Sequence, residues 1–245
     1  MTTLPTTFPR VPLKQMDPSM LVFELDRETQ HLIPEHAELI TSAATMASFL
    51  HRKQTSFVRG GLPRVPYIEH PLRVALRLIR WGVRDATLIA AALLHDVVED
   101  CFEELLEVFG RDGEDALECL TRLYGAQVAE LVGEVSNPAA CGSDKAASRG
   151  RYFLHITALA STDTPALLIK ASDLKDNAGS IKHQLGRGQD EKMLRMLRKY
   201  RPAVQAVLSG LRDMAGNNES TCAAVRDIGA LQCDLDTLAA EHGLT

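Results

Sequence analysis

The sequence predicts an all-α protein, and three observations support that fold class. Apolar residues recur at three- and four-residue intervals in successive segments between residues 35 and 242, which is the spacing of one helix face. Several of these segments begin with a residue that suits a helix start. No convincing run of alternating apolar and polar residues interrupts them, and a short stretch at 166–169 is also interpreted as helix.

The predicted helices follow in order along the chain. The first begins at residue 35 and should fade near Phe57, ahead of a Gly-Gly-Leu-Pro loop. The second opens at His70, where a following proline suits the first turn. The third spans 86–100 with Asp85 as N-cap, and because it is apolar on most sides through Leu94 it should be central and buried. After a predicted loop at 137–148, helices resume; the remaining helical segments are 102–109, 114–123, 126–135, 149–160, 165–179, 190–214 and 222–242.

Length and charge set the general class of protein. A chain of 245 residues can form one sizeable core, and we divide it into an N-terminal arm (1–34), a main domain (35–215) and a C-terminal helical extension (216–245). The formal charge of −5 disfavours unselective nucleic-acid binding. Five cysteines without a Cys-x-x-Cys pair, and no apolar stretch long enough to span a bilayer, predict a cytoplasmic protein without membrane contact.

The third predicted helix ends in a group of polar residues that follows directly on a buried run. His95 and Glu99 are four residues apart, as are Asp96 and Asp100, so one helix face would present all four. Burying them without a cation would be costly, and nitrogen and oxygen ligands favour manganese, iron, magnesium or zinc. The alternative is a solvated helix end, and the His-Asp dipeptide alone does not decide between the two.

Four segments together resemble the hydrolase domain of the RelA/SpoT alarmone enzymes and its small stand-alone relatives. Residues 91–100 resemble the family's His-Asp motif, and 66–71 (Pro-Tyr-Ile-Glu-His-Pro) are similar to its proline-tyrosine-isoleucine-x-histidine-proline motif. Residues 168–177 resemble its lysine-leucine-alanine-aspartate segment with asparagine four residues on, and 124–132 resemble a helix-start motif. The matches occur in the family's order and cover much of residues 36–215.

This resemblance implies an HD-domain helical bundle and a specific set of roles. His70, His95, Asp96 and Asp173 would hold one divalent metal, usually Mn²⁺ in this family. Glu99 and Asp100 would orient and deprotonate the attacking water, and Asn177 would hydrogen-bond the nucleotide. The implied activity is removal of the 3′-pyrophosphate from alarmone nucleotides, (p)ppGpp or (p)ppApp.

The sequence departs from the family where the base and phosphates should bind. The arginine-lysine pair expected soon after Gln54 is missing, and we expect either that Arg59 and Arg64 replace it or that Phe57 stacks on the base. Lys145 and Arg149 are further candidates for the phosphates. Residues 182–201 carry seven cations and two anions, which indicates either a phosphate or RNA surface or a solvated helix face.

Three other functions stay open at this point. An antitoxin-type hydrolase would remove pyrophosphate from the 3′ end of tRNA, with a cognate toxic synthetase as its genetic partner. A general HD nucleotide phosphohydrolase would act on deoxynucleotides or cyclic dinucleotides, and the match at 66–71 argues against it. A degenerate HD regulatory binding module would predict lost ligands, whereas all four candidates are present.

Overall fold

The prediction of an all-α fold is confirmed by a computed structural model, which describes residues 9–30, 32–56, 64–137, 145–162 and 164–244. The helices are α1 (Pro18–Thr29), α2 (Pro34–Leu50), α3 (Glu69–Trp81), α4 (Ala86–Leu94), α5 (Val97–Asp100), α6 (Phe102–Phe109), α7 (Ala116–Tyr124), α8 (Ala126–Val135), α9 (Lys145–Ala160), α10 (Ala166–Ala178), α11 (Ile181–Gln184), α12 (Asp190–Ala215) and α13 (Glu219–Glu241). Two-residue strands β1 (Thr55–Ser56) and β2 (Val65–Pro66) form an antiparallel pair.

Helix α4 forms the centre of the core, as its apolar sequence predicts. The side chain of Asp85 accepts hydrogen bonds from the main-chain nitrogens of Thr87 and Leu88, which fixes the start of the helix. Leu93 and Leu94 are fully buried, and α2, α3 and α8 pack around them. Because α4 is enclosed on all sides, the polar residues that follow it emerge inside the molecule rather than at its surface.

The predicted third helix is divided, and this corrects the expectation of one continuous helix over 86–100. A turn at His95 and Asp96 separates α4 from α5, with ψ of Asp96 opened to −5°. The side chain of Asp96 accepts a hydrogen bond from the Tyr67 hydroxyl at 2.6 Å. This turn lets both His95 and Asp96 point towards α3. The pairs His95–Glu99 and Asp96–Asp100 therefore do not line up on one helix face as they would in a continuous helix.

Other differences concern element boundaries. Helix α2 ends at Leu50, well before Phe57, and α9 begins at Lys145 inside the predicted loop, whose residues 138–144 lie outside the described part. A short 3-10 turn at Leu13–Gln15 and helix α1 were not predicted; Leu13, Met16, Leu21 and Leu25 are buried, and α1 packs on α3. The three-segment division of the chain stays a prediction.

Helix α10 connects the core to the C-terminal helices. It contacts α3, α12 and α13, while α12 and α13 pack along each other. Asp173 lies midway along α10 and faces the same interior space as the ends of α3 and α4. Within the described residues, none of the helices has the length and apolar character needed to cross a membrane.

Candidate metal centre

Four side chains from three elements converge at the end of α4. The Nε2 atoms of His70 and His95 are 3.2 Å apart, and Nε2 of His70 lies 3.4 Å from Oδ1 of Asp173. Oδ2 of Asp96 is 3.3 Å from His70 Nε2 and 3.2 Å from His95 Nε2. These four residues are the metal ligands that the resemblance implies, although His70 and Asp173 lie 103 positions apart along the chain.

The second nitrogen of each histidine is already engaged. Nδ1 of His70 faces Oδ2 of Asp176 at 2.9 Å, and Nδ1 of His95 faces the carbonyl oxygen of Ala92 at 2.8 Å. The carbonyl oxygen of Ala92 can only accept a hydrogen bond, and the same holds for the ionised carboxylate of Asp176. Each Nδ1 therefore carries a proton and donates it. Each Nε2 atom therefore faces the shared space and is the nitrogen that would bind a metal, since metal-binding histidines donate their other ring nitrogen to a carboxylate or carbonyl oxygen.

Electrostatics also favour a positive charge at this position. Burial lowers the pKa of His70, but hydrogen bonds to Asp173, Asp176 and Asp96 outweigh it, so that pKa lies well above its usual value. Burial opposes ionisation of Asp173, but Lys170 and the two histidines hold the pKa of its carboxyl at about 2. Two ionised carboxylates and two imidazoles suit a divalent cation of the borderline or hard class, so the donor set fits such a group.

Glu99 is held beside the four convergent groups by Asn137 and not by the candidate ligands. Its Oε1 accepts from the Asn137 main-chain nitrogen at 2.7 Å and from Nδ2 at 3.1 Å, and Oε2 accepts from Nδ2 at 3.0 Å. Burial raises the pKa of Glu99, against these hydrogen bonds. Asp100 is exposed as a residue, but its carboxyl group is partly enclosed, and this partial burial and the nearby charge of Asp96 raise its pKa.

Lys170 connects the Glu99 side of the site with Asp173. Its buried ammonium lies 3.3 Å from Asp173 Oδ2 and donates to the carbonyl oxygen of Val135 at 3.1 Å. It also lies 3.4 Å from Asn137 Oδ1. These contacts make Lys170 a structural ion-pair partner of Asp173. His51 packs its ring 4.8 Å from that of Tyr67.

The predicted substrate-binding residues are placed less uniformly. Asn177 donates through Nδ2 to Asp173 Oδ1 and lines a small pocket with Ser56, Met193 and Met196. Arg64 donates to the carbonyl oxygen of Thr55 at 2.9 Å and to its hydroxyl, and Arg149 is exposed on α9. Arg59, Phe57 and the side chain of Lys145 lie outside the described residues.

An aromatic pair with a lysine lies beside the site and was not predicted. The Lys199 ammonium is 4.0 Å from the ring centroid of Tyr152 and 5.0 Å from that of Tyr200. Burial and Lys170 lower the pKa of Lys199, while Asp173 and Glu99 act in the opposite direction. Lys199 therefore lies close enough to the site for its charges to act on the lysine's pKa. The sequence of the basic segment 182–201 does not indicate which of its cations lies near the site.

Comparison with known proteins agrees with this geometry. The family model described as HD domain matches residues 43–202, which is well over half of the chain. A helical bundle with paired His and Asp side chains at its centre is the class of protein that the fold and site define, and the chain belongs to the HD domain family.

Three relatives are named for the same activity. The chain is 33% identical over 162 residues to guanosine-3′,5′-bis(diphosphate) 3′-pyrophosphohydrolase of Aquifex aeolicus, covering 64% of this chain and 20% of the relative. It is 42% identical over 89 residues to the guanosine-3′,5′-bis(diphosphate) 3′-pyrophosphohydrolase MESH1 of Xenopus tropicalis, covering 35% of this chain and 48% of the relative. It is 32% identical over 133 residues to MESH1 of Drosophila melanogaster, covering 54% of this chain and 63% of the relative. The chain thus spans between a fifth and two thirds of the length of these relatives.

Proposed function

We propose that this protein is a metal-dependent hydrolase that removes pyrophosphate from the 3′ position of a guanosine or adenosine alarmone. The observation that carries the proposal is the convergence of two histidine Nε2 atoms with the carboxylates of Asp96 and Asp173. The relatives named as guanosine-3′,5′-bis(diphosphate) 3′-pyrophosphohydrolases support the substrate class. Manganese is the proposed metal, because the family resemblance implies it and a mixed set of imidazole and carboxylate ligands can hold it.

In this proposal His70, His95, Asp96 and Asp173 hold one divalent cation. Such a cation lowers the pKa of a water molecule and offsets the charge of a phosphoryl group. Glu99 acts as the general base that accepts the proton of the attacking water, because its carboxylate is oriented by Asn137 and its pKa is raised by burial. Asp100, next to Tyr67, orients the same water.

Water is the only other reactant that the proposed hydrolysis needs. The oxygen of water bonds to the phosphorus attached to O3′, and the O3′–P bond breaks. Pyrophosphate leaves with the hydroxyl oxygen of water, and O3′ ends with a proton as a free hydroxyl. Glu99 returns to its ionised form when it releases the proton that it accepted.

Lys199 is proposed to meet the substrate's phosphates. Its ammonium lies against two tyrosine rings, and the charges of Asp173 and Glu99 act on its pKa. Asn177 and the pocket that it shares with Ser56 and Met193 are proposed to receive the nucleoside. Arg59, Arg64, Lys145 and Arg149 stay predicted phosphate ligands.

A tRNA 3′ end is less well supported than a free nucleotide. Several cations of the 182–201 segment already form ion pairs: Lys182 with Asp234, Arg195 with Glu191 and Arg201 with Asp236. The local excess of positive charge is therefore smaller than the sequence indicates. No separate observation favours a general nucleotidase, and the intact ligand set disfavours a degenerate binding module.

The test is a substrate panel with purified protein and Mn²⁺. We expect pyrophosphate release from ppGpp or ppApp, and no turnover by a His95→Ala variant. Faster release from 3′-pyrophosphorylated tRNA would replace the nucleotide with tRNA as the substrate. Hydrolysis of deoxynucleoside triphosphates or cyclic dinucleotides, with both alarmones untouched, would reject the proposed substrate class.

A further inference from the structure

Asp176 lies directly behind the candidate metal ligand His70 and is completely buried. Its Oδ2 faces His70 Nδ1 at 2.9 Å. Its Oδ1 faces Nε of Arg73 at 2.9 Å and Nη2 of Arg77 at 3.2 Å. Because a hydrogen-bonded carboxylate fixes the ring orientation of a metal-binding histidine, the position of Asp176 determines where Nε2 of His70 points.

Lys14, in the 3-10 turn near the N-terminus, reaches Asp176 from a segment 162 residues away. Its ammonium donates to the carbonyl oxygen of Asp176 at 2.6 Å and to the hydroxyl of Ser180, and it lies 3.2 Å from Asp176 Oδ1. That carbonyl belongs to the last turn of α10, where main-chain acceptors lack helical partners and a cation is favourable. Lys14 therefore fixes both the backbone and the side chain of Asp176.

The segment that carries Lys14 is itself firmly anchored. Leu13 and Met16 are buried on either side of it. The carbonyl oxygen of Val11 accepts a hydrogen bond from Arg80 Nη1 at 3.0 Å, and Arg80 Nη2 binds Glu24 of α1 at 3.1 Å. The contact between Lys14 and α10 thus belongs to a packed interface and not to a loose chain end.

Charge balance alone does not require Lys14. Without it, the two arginines Arg73 and Arg77 would match the two buried carboxylates Asp176 and Glu69, since Arg73 also pairs with Glu69 Oε2 at 2.8 Å. A third cation so close to a cation-binding site would by itself weaken metal binding through repulsion. Geometry is therefore the contribution that this lysine can make to metal binding.

We propose that Lys14 is a positioning residue of the metal centre, which acts through Asp176 to hold His70 in its ligating orientation. This inference rests on the proposed function, because it needs a metal at His70. It makes the N-terminal segment part of the active site, although that segment contributes no ligand.

The experiment measures Mn²⁺ affinity directly, from the electron paramagnetic resonance signal of free Mn²⁺, well below the unfolding temperature. Lys14→Met keeps the length and packing of the side chain but removes the ammonium. Loss of outer-shell partners of a ligand typically weakens metal binding about 10- to 100-fold, and we expect about tenfold here. Lys182→Met is the matched control, since Lys182 lies near the same surface and pairs with Asp234, and should change the affinity less than about twofold.

Loss of the positioning contact would weaken Mn²⁺ binding, whereas loss of charge repulsion would strengthen it. The sign of the change in affinity therefore distinguishes the two contributions of Lys14. An Mn²⁺ affinity that is unchanged or tighter in Lys14→Met would overturn the positioning role. If that variant fails to fold by circular dichroism, Lys14→Gln, which keeps a donor for the Asp176 carbonyl, is measured instead and should show a weakened affinity. Absence of saturable Mn²⁺ binding in the unmodified protein would reject the metal centre itself and this inference with it.

Discussion

Replacing Glu99 by glutamine tests the division of roles at the site, because it removes the proposed base and leaves all four proposed ligands in place. General-base contributions are typically 10²- to 10⁴-fold, which corresponds to about 2.7–5.4 kcal/mol in the activation barrier. We therefore expect kcat to fall by about that factor. Mn²⁺ affinity should change little, since Glu99 contacts Asn137 and not a ligand.

The structure also predicts a stability cost for this variant. One oxygen of the glutamine can still accept from the main-chain nitrogen of Asn137, but the new amide group would face Nδ2 of Asn137, which is also a donor. Leaving these groups badly paired costs about 1–3 kcal/mol, or a decrease in Tm of roughly 2–4 °C per kcal/mol for a chain of this size.

The assay combines steady-state turnover, Mn²⁺ titration and thermal unfolding on three proteins. Glu103→Gln is the control, because Glu103 is exposed four residues further on and undergoes the same chemical change. It should match the unmodified protein in all three measurements. Near-normal kcat in Glu99→Gln would refute Glu99 as the base, and loss of Mn²⁺ binding in that variant would place Glu99 among the ligands.

Three further predictions concern the surrounding charges. Lys170→Met should destabilise the fold by about 3–5 kcal/mol, because Asp173 loses its buried partner. Mn²⁺ should then raise Tm more in this variant than in the unmodified protein. An equal or smaller rise in Tm counts against the ion pair between Lys170 and Asp173. Lys199→Met should raise KM for the alarmone roughly tenfold with little change in kcat, since a hydrogen bond to a charged group contributes about 1.5–3 kcal/mol; an unaltered KM would remove Lys199 from the phosphate site. Burial and the two nearby arginines lower the pKa of Lys14 from 10.5 to about 7, although Asp176 opposes them. Between pH 7 and 10.5 the unfolded chain therefore binds more protons than the folded protein. The free energy of unfolding should consequently rise with pH in this range. The difference in Tm between the unmodified protein and Lys14→Met should shift in favour of the unmodified protein from pH 7.5 to 9.5, and a constant difference would contradict the lowered pKa.

The four residues of the candidate metal centre could be predicted from sequence because they lie in short motifs on strongly patterned helices. His70 follows a tyrosine-isoleucine turn, and His95 and Asp96 end a helix whose burial is evident from its composition. The interruption at Asp96 could not be predicted in this way. It depends on a hydrogen bond from Tyr67, a residue 29 positions away, and local helix propensity contains no information about such a contact.

The residues that support the ligands were missed for a related reason. Asp176 lies in a motif that the sequence analysis used, but its partners come from α3 and from the N-terminal turn, and only the tertiary structure brings these together. Lys14 lay in a segment rich in proline, which carried no periodic signal. Likewise, nothing in the 182–201 run distinguishes Lys199 from its neighbours until α12 is placed against Tyr152 of α9.

The most direct test of the proposed activity follows a label on the 3′ group of ppGpp. With the outer phosphate of the 3′-diphosphate labelled and Mn²⁺ present, we expect all released label to appear as pyrophosphate, in equal amount to GDP. The His95→Ala variant should release none. Label released as orthophosphate, or 5′ phosphate lost while the 3′ label stays on the nucleotide, would contradict the proposed 3′-pyrophosphohydrolase activity.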